Sequence, residues 1–445
     1  MPALALCVAL VLADSSVVVL ALPDIYRELD VSVAAVTWVL IGFNLVLAAT
    51  AVPAATLARR SGAARVAVAG MSVFAVASLV CGLAGSIEVL LTARCVQAAG
   101  GAAGVCAALE LLPARVGSER RAAAIWAAAG AFGAAVGPGV GGLLTELVSW
   151  QSIFLLQVPL AAGVAISLAG SARGEGATGS TRAAGRPHLA ANVALGLISA
   201  ALAAALFLVV LLLIEGWRLT PIAAAAAVTA LPLAAVAAAP LARRVDSAPA
   251  RAAAGAVLIG GGLAALGLLP DASVALTLPP QALCGVGLAL TLSALTETAL
   301  EGRAPQAIHG GWTIAARHAG VVVGLLVLTP VFTSDLATER DDAVRSGTAA
   351  LLDSPLPPSA KLDLAGRISD QIDSEGDKVP NVDPAFDPLP EDPTERAQAV
   401  ALRDELGDEI DAAATHAFSA SFLIAAAFAL AALLPIALAR GRVGL

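Results

Sequence analysis

Charged residues, aromatic residues and cysteine are all scarce in this sequence, and each shortage excludes a class of protein. Only 13% of the 445 residues are charged and 58% are hydrophobic, with a mean hydropathy of +0.86. Soluble domains carry about 25% charged residues, so the chain is not expected to be a soluble globule. The five cysteines form no CxxC pair, so neither a disulfide framework nor a metal site is predicted.

Motifs for catalysis and for nucleotide binding are also missing. The glycine-rich stretches lack the lysine and the strand-to-helix setting of a phosphate-binding loop. No group of nucleophile, base and metal ligands is clustered in the sequence. We therefore expect no enzyme activity, no cofactor and no nucleic-acid partner. Any active transport would have to use an ion gradient or a partner protein.

Long apolar stretches fill most of the chain. A helix needs about 20 apolar residues to cross about 30 Å of hydrocarbon, and twelve stretches have this length. The sequence therefore predicts an all-α polytopic membrane protein. The predicted helices are 3–23, 36–57, 65–85, 88–112, 122–145, 150–170, 190–214, 221–242, 252–270, 275–298, 309–331 and 416–439.

Arginine in the connecting loops predicts the orientation. With the N-terminus inside, the inner loops and C-terminal tail carry fifteen arginines and the short outer loops two. Because cytoplasmic loops are enriched in basic residues, both termini are predicted to be cytoplasmic. The chain has only two lysines and is rich in alanine and arginine. This usage is typical of a high-GC bacterial genome, so a bacterial plasma (inner) membrane is the expected location.

Two polar segments divide the chain. Residues 171–189 are glycine-rich and indicate a flexible cytoplasmic linker between a six-helix half at 1–170 and a second half at 190–445. The outer loop 333–415 carries 20 of the 34 acidic residues and 7 of the 26 basic ones. Helices are predicted at 360–374 and 394–414. Three interpretations of this insertion stay open: a solvated spacer, a cap over the outer opening, or a docking surface for a cell-envelope partner.

Ionisable residues at bilayer depth are costly and need an explanation. Asp14 lies near the middle of the first helix, and Arg94 and Gln97 lie one turn apart on the fourth. Burial disfavours a charged carboxyl group, whereas a nearby guanidinium favours it. Asp14 is therefore a candidate for reversible proton binding. A fixed ion pair or hydrogen-bond network with Arg94, and direct contact with a substrate, are the alternatives.

A glycine-rich face marks the fifth helix. Residues three or four positions apart share a helix face, and small residues there allow a second helix to approach closely in a membrane. Pro138 removes one backbone donor and bends the helix. We predict a closely packed hinge between the two halves, although tight packing alone is an alternative. The residues are Gly130, Gly133, Gly137, Pro138, Gly141 and Gly142.

These motifs resemble those of the major facilitator superfamily, and within it the drug:proton antiporters related to the fourteen-helix multidrug exporters. Asp14 and the closing Ala21-Leu22-Pro23 match the first helix of that family. Arg94-x-x-Gln97-Ala98-x-Gly100 is similar to its fourth-helix motif, and the glycine face matches its antiporter motif. Arg317-His318-x-Gly320 resembles a segment of its penultimate helix.

Departures from the family pattern affect the expected gate. Val19 and Gln157 stand where the family has asparagine. In the loop after the second helix, Arg59 replaces the family's acidic residue, beside Arg60 and Gly62. The family's acid belongs to a charge network that stabilises one gate conformation, so gating is expected to differ here. Residues 171–189 are too few for two extra helices, so twelve are predicted.

The resemblance implies a monomeric secondary transporter with a major facilitator fold. It implies export of a small, partly hydrophobic organic molecule in exchange for protons, by alternating access of two six-helix halves within membrane lipids. Asp14 would carry the proton, and Arg94 would tune or orient it. Two alternatives stay open: a dedicated exporter of one endogenous metabolite or lipid precursor, and a non-transporting sensor or assembly factor that acts through the insertion.

Overall fold

Helices account for nearly all of the described chain. The computed structural model describes residues 1–174, 185–242, 244–375 and 381–440, and in these residues twelve helices are long and apolar enough to cross a membrane. The predicted all-α architecture and helix count are confirmed. Spans 1 to 12 are Pro2–Glu28, Val33–Ser61, Ala63–Gly82, Ile87–Val116, Glu119–Leu147, Gln151–Ala172, Leu189–Gly216, Pro221–Pro240, Ala248–Gly267, Val274–Leu300, Gln306–Asp353 and Pro393–Ala439.

Serine and glycine set several span boundaries. The side chains of Ser32, Ser86 and Ser118 accept hydrogen bonds from backbone N–H groups in the first turns of spans 2, 4 and 5. Such a cap stabilises a helix by about 1 kcal/mol. Gly62 separates spans 2 and 3 at φ 96°, and Gly117 ends span 4 at φ 71°. Glycine adopts positive φ without steric cost.

Span 1 changes its helical geometry beyond its midpoint. An α-helix runs from Pro2 to Val17, a 3₁₀ turn covers Val18–Ala21, and an α-helix resumes over Leu22–Glu28. Pro23 has no backbone N–H, and its ring clashes with the carbonyl four residues earlier in a regular α-helix. The change in geometry therefore falls in the turn that precedes Pro23.

Packing joins neighbouring spans within each group of six. Span 1 packs against span 5, span 4 against spans 2 and 3, and span 3 against span 6; span 9 packs against spans 10 and 12, and span 7 against span 11. Spans 2 and 11 and spans 5 and 8 form the main contacts between the two groups. Residues 175–184 of the predicted linker lie outside the described residues, and the two-half organisation stays a prediction.

The two ends of the bundle are distinguished by the segments attached to them. The side on which span 6 ends and span 7 begins is called the linker side, and the side on which span 11 continues beyond residue 333 is called the insertion side. Span 11 was predicted to end at 331, but its helix continues to Asp353. No proline interrupts the chain between Pro330 and Pro355, so nothing ends the helix at the membrane surface.

The insertion forms a helical unit with its own apolar core. Helices at Pro358–Glu375 and Pro393–Ala417 agree with the helices predicted for this segment. Trp217 Nε1 donates to Thr415 Oγ1 at 3.0 Å, and Arg218 pairs with Asp411 at 3.0 Å, so the unit is fastened to the insertion-side end of span 7. Its core consists of Leu351, Leu356, Leu364, Val382, Ala385, Phe386, Ala399, Leu402, Leu406 and Ile410.

Candidate functional site

Asp14 and Arg94 form an ion pair in the interior of the first six spans. The carboxylate Oδ2 of Asp14 accepts from Nη1 of Arg94, and both side chains are 0% exposed. Asp14 lies one turn before the 3₁₀ segment of span 1. Removal of one partner from such a pair costs about 3–5 kcal/mol because the remaining charge stays buried.

Three uncharged polar side chains complete a central polar cluster of Asp14, Ser78, Arg94, Gln97 and Gln157. Gln157 Nε2 donates to Asp14 Oδ1 at 2.8 Å, and Gln97 Oε1 accepts from Arg94 Nη1 at 2.6 Å. Gln97 Nε2 in turn donates to Gln157 Oε1 at 2.7 Å and to Ser78 Oγ at 2.8 Å. Each carboxylate oxygen of Asp14 therefore has a donor, which compensates for part of the lost hydration.

Aromatic rings enclose the guanidinium of Arg94. Its carbon lies 4.1 Å from the ring centroid of Phe43 in span 2 and 5.5 Å from that of Phe154 in span 6. Cation–π contacts in a desolvated site contribute about 2 kcal/mol each. Nη2 of Arg94 has no hydrogen-bond partner among the described residues. The guanidinium therefore depends on Asp14 for charge compensation, and protonation of Asp14 would remove it.

Gln157 is a site residue that the sequence analysis identified only as a departure from a family asparagine. Its amide side chain is uncharged, so a search for ionisable residues in apolar stretches does not identify it. Its contact with Asp14 joins residues 143 positions apart, and no local pattern predicts such a contact. The available signal was the polar residue itself at bilayer depth, one helical turn beyond Phe154.

The glycine face of span 5 packs mainly against span 1. A methyl group at Gly133 or Gly141 would collide with the carbonyl of Ala9 or Val17. Only Gly142 contacts the second group, through Pro221 and Ala225 of span 8. The predicted close approach is therefore present, with span 1 as the partner of Gly130, Gly133, Gly137 and Gly141, and a hinge between the halves stays a prediction. Periodicity predicts the smooth face and not its partner.

The predicted gate loop lies on the linker side. Arg59 Nε is 4.0 Å from Glu110 Oε1 of span 4, and Arg60 is exposed. At Gly62, a Cβ would lie 3.1 Å from Nε of Arg65, and its φ of 96° also favours glycine. These residues do not contact the central polar cluster, so a role for them in gating stays a prediction.

Span 11 places its polar residues at the contact between the two groups of spans. His318 Nδ1 lies 2.6 Å from Oδ1 of Asn44 in span 2, and both side chains are buried. Gly320 packs directly against the backbone of Gly196 in span 7. Arg317 is partly buried and has no hydrogen bond or ion pair with any described residue. The structure therefore does not bring Arg317 into the central polar cluster.

An ion pair across the insertion side was not predicted from sequence. Arg27, near the end of span 1, donates to Glu215 of span 7 at 2.6 Å. Nearby, Glu146 of span 5 accepts from the backbone N–H of Ile222 in span 8 at 2.7 Å. Both contacts join the first six spans to the last six. They tie the two groups of spans together on the insertion side.

Comparison with known proteins places this arrangement in a family. A sequence profile described as the Major Facilitator Superfamily matches residues 4–329. The methylenomycin A resistance protein of Streptomyces coelicolor is 40% identical over 194 residues, which are 42% of this chain and 40% of that protein. The multidrug resistance protein Stp of Mycobacterium tuberculosis is 38% identical over 156 residues, covering 34% and 29% of the two chains. The matches thus span less than half the length of these curated relatives.

Solved structures share the fold at low sequence identity. A bacterial homologue of the human lysosomal transporter Spinster, in an inward-facing and unoccupied conformation, has a TM-score of 0.62 and 16% identity and covers 98% of this chain and 97% of its own. A POT family transporter in complex with 5-aminolevulinic acid has a TM-score of 0.58 and 11% identity, covering 74% and 90%. Identity this low supports the fold alone.

Proposed function

The chain belongs to the Major Facilitator Superfamily, and on this premise we propose that it exports a small, partly hydrophobic organic compound in exchange for protons. Transport would proceed by alternating access between the first and last six spans. The buried Asp14–Arg94 pair is the observation that carries the proposal, because a carboxyl group with one guanidinium partner can change charge only by exchanging a proton.

Proton binding at Asp14 would change the electrostatic contacts of the central polar cluster. A neutral carboxyl group no longer compensates Arg94, and the Gln157 donor loses its charged acceptor. The rearrangement that follows would destabilise one of the two alternating-access conformations relative to the other. Coupling through a population shift requires such a difference. Because Asp14 lies one turn before the 3₁₀ segment of span 1, the same change occurs close to a place where the helix geometry is already altered.

The proposed orientation puts the linker side in the cytoplasm of a bacterium, with both termini cytoplasmic. The arginine bias of the loops supports this assignment. The insertion then lies outside the plasma membrane. Protons would enter from the insertion side and leave toward the linker side while the cargo moves outward.

The names of the relatives support a drug-like cargo. One is named as a multidrug resistance protein and the other as a methylenomycin A resistance protein. The apolar composition of the spans agrees with a partly hydrophobic compound. Phosphorylated sugars and polyanions would need several convergent basic groups, and the spans contain few basic residues at bilayer depth.

Efflux from energised cells tests the proposal. Cells that express wild type, Asp14→Asn or Asp24→Asn are loaded in turn with neutral chloramphenicol, cationic ethidium and anionic fluorescein, with and without a protonophore. We expect protonophore-sensitive efflux of at least one probe from wild type and Asp24→Asn cells and none from Asp14→Asn cells. Asp24 is a matched control because it also lies in span 1 but pairs with Arg27 near the insertion side. Efflux that is insensitive to the protonophore would contradict proton coupling.

A further inference from the structure

Arg317 lies at bilayer depth without a compensating charge. Span 11 begins at Gln306, so Arg317 is about 17 Å along a helix that rises about 1.5 Å per residue. This is close to the middle of a hydrocarbon layer about 30 Å thick. A guanidinium at that depth is unfavourable unless it is paired or hydrated.

The helix face of Arg317 points toward the interior of the protein. His318 contacts span 2, and Gly320 contacts span 7. At about 100° per residue, Arg317 lies between these two faces and opposite the exposed one. Gly310, two turns earlier on the same side as Arg317, contacts Leu109 of span 4. The exposed face of span 11 is marked by Trp312, Val323 and Leu326.

No acidic side chain at depth is available to Arg317 in the last six spans. The acidic residues in the apolar parts of these spans are Glu215 and Glu297, which lie near helix ends and pair with Arg27 and Arg251. Asp14 is already paired with Arg94. His318 does not supply a negative charge, and its Nδ1 is held by Asn44. Among the described residues, Arg317 is thus the cation at mid-depth that no protein anion neutralises.

We propose that Arg317 binds an anionic group of the cargo, a carboxylate or phenolate on an otherwise apolar molecule. A guanidinium can donate two parallel hydrogen bonds to a carboxylate, which makes it a specific partner for this group. One guanidinium matches a monoanion, whereas a polyanion would leave charges unpaired in the apolar interior. This inference rests on the proposed export function, because it names the chemical class of the exported compound.

The two arginines at bilayer depth would then have separate tasks. Arg94 is compensated by Asp14 and belongs to the proton site. Arg317 remains for the cargo, in the other group of spans. Separation of the two charges allows proton and cargo to occupy different sites, and the contact between spans 2 and 11 lies between them.

Binding to the purified full-length protein tests this inference. The probes are radiolabelled 2-naphthoate and its uncharged methyl ester, measured by equilibrium dialysis on wild type, Arg317→Gln, Arg317→Lys and Arg303→Gln. We expect wild type to bind 2-naphthoate at least tenfold more tightly than the ester, Arg317→Gln to lose this preference, and Arg317→Lys to retain part of it. Arg303 is the control because it is also partly buried but lies in the loop before span 11.

Two results would overturn the inference: equal binding of acid and ester by wild type, or an unchanged preference in a folded Arg317→Gln protein. Arg317→Lys keeps the charge. If Arg317→Gln does not fold, the preference of Arg317→Lys for 2-naphthoate over the ester is compared with that of wild type. Protonophore-sensitive efflux of chloramphenicol, ethidium or fluorescein from cells that express the same variants reports on the proposed function separately. Transport without acid preference removes the cargo assignment alone, and acid preference without proton-driven transport removes the export function alone.

Discussion

His318 and Asn44 form a buried hydrogen bond that joins the two groups of spans, with 2.6 Å between Nδ1 of His318 and Oδ1 of Asn44. The amide nitrogen of Asn44 donates to the carbonyl of Leu40 at 2.8 Å. Its oxygen is therefore the acceptor, and Nδ1 of His318 carries the proton. The bond connects span 2 to span 11, which form one of the main contacts between the first and last six spans.

The same amide oxygen also lies within reach of span 1. Ser15 Oγ is 3.5 Å from Oδ1 of Asn44, and Ser15 follows Asp14 directly. Asn44 is therefore a polar contact shared by Ser15, the residue next to Asp14, and by span 11. A change at Asp14 has a short physical route to the contact between the two groups.

Asn44→Leu should destabilise the protein by about 1–3 kcal/mol, because the buried Nδ1–H of His318 loses its acceptor. In a double-mutant cycle with His318→Leu, the two changes should be non-additive by about 0.5–3 kcal/mol. Thermal unfolding of the purified proteins measures both quantities. Asn192→Leu is the matched control, since Oδ1 of this buried asparagine already lacks a partner. Additive losses from Asn44 and His318 would contradict the account.

Gln157→Leu should reduce transport at least tenfold, because Asp14 loses one donor and Gln97 loses one of its two acceptors. The buried unsatisfied groups should also lower stability by about 1–3 kcal/mol. Efflux rates measured at equal amounts of membrane protein check the first effect. Gln151→Leu serves as control because Gln151 bonds to Glu28 at an exposed position. If both variants export at the wild-type rate, the contacts of Gln157 in the central polar cluster have no role in transport.

Gly133→Ala should impair folding and export, because its methyl group would collide with the backbone carbonyl of Ala9. Gly139→Ala should be neutral or slightly stabilising, since nothing lies within 4 Å of that position and alanine favours helix by about 1 kcal/mol. Membrane insertion and melting temperature distinguish the two variants, which differ by one methyl group in the same helix. Similar behaviour of both would mean that spans 1 and 5 do not approach as closely as the structure has them.

Trp217→Phe should loosen the insertion without abolishing export. The change removes the donor to Thr415 at the point where the insertion meets span 7, while most of the apolar contact is kept. Limited proteolysis should cut within 333–415 faster than in wild type. Trp38→Phe is the control, because Trp38 is exposed in span 2. Complete loss of export from Trp217→Phe would favour a protein whose main activity resides in the insertion.

Prediction from sequence succeeded where local pattern determines the outcome. Apolar length gives the twelve spans, and the rarity of charge at depth singles out Asp14 and Arg94 before any contact is known. The partner of the glycine face, span 1, was not identified because a smooth face fits any helix that approaches it. Gln157, Asn44 and the Arg27–Glu215 pair were not found because each contact depends on which spans become neighbours. The absence of proline was a local signal for the extension of span 11 to Asp353. The prediction instead ended this helix where the apolar sequence ends.

Reconstituted wild type, Asp14→Asn and Asp24→Asn proteins provide the most direct test that Asp14 couples transport to protons. Proteoliposomes receive the compound that wild type exports fastest, and each preparation is assayed for accumulation driven by an imposed pH gradient and for exchange at equal pH. The account predicts that Asp14→Asn retains exchange but loses accumulation, whereas Asp24→Asn keeps both. Accumulation by Asp14→Asn at the wild-type level would contradict it.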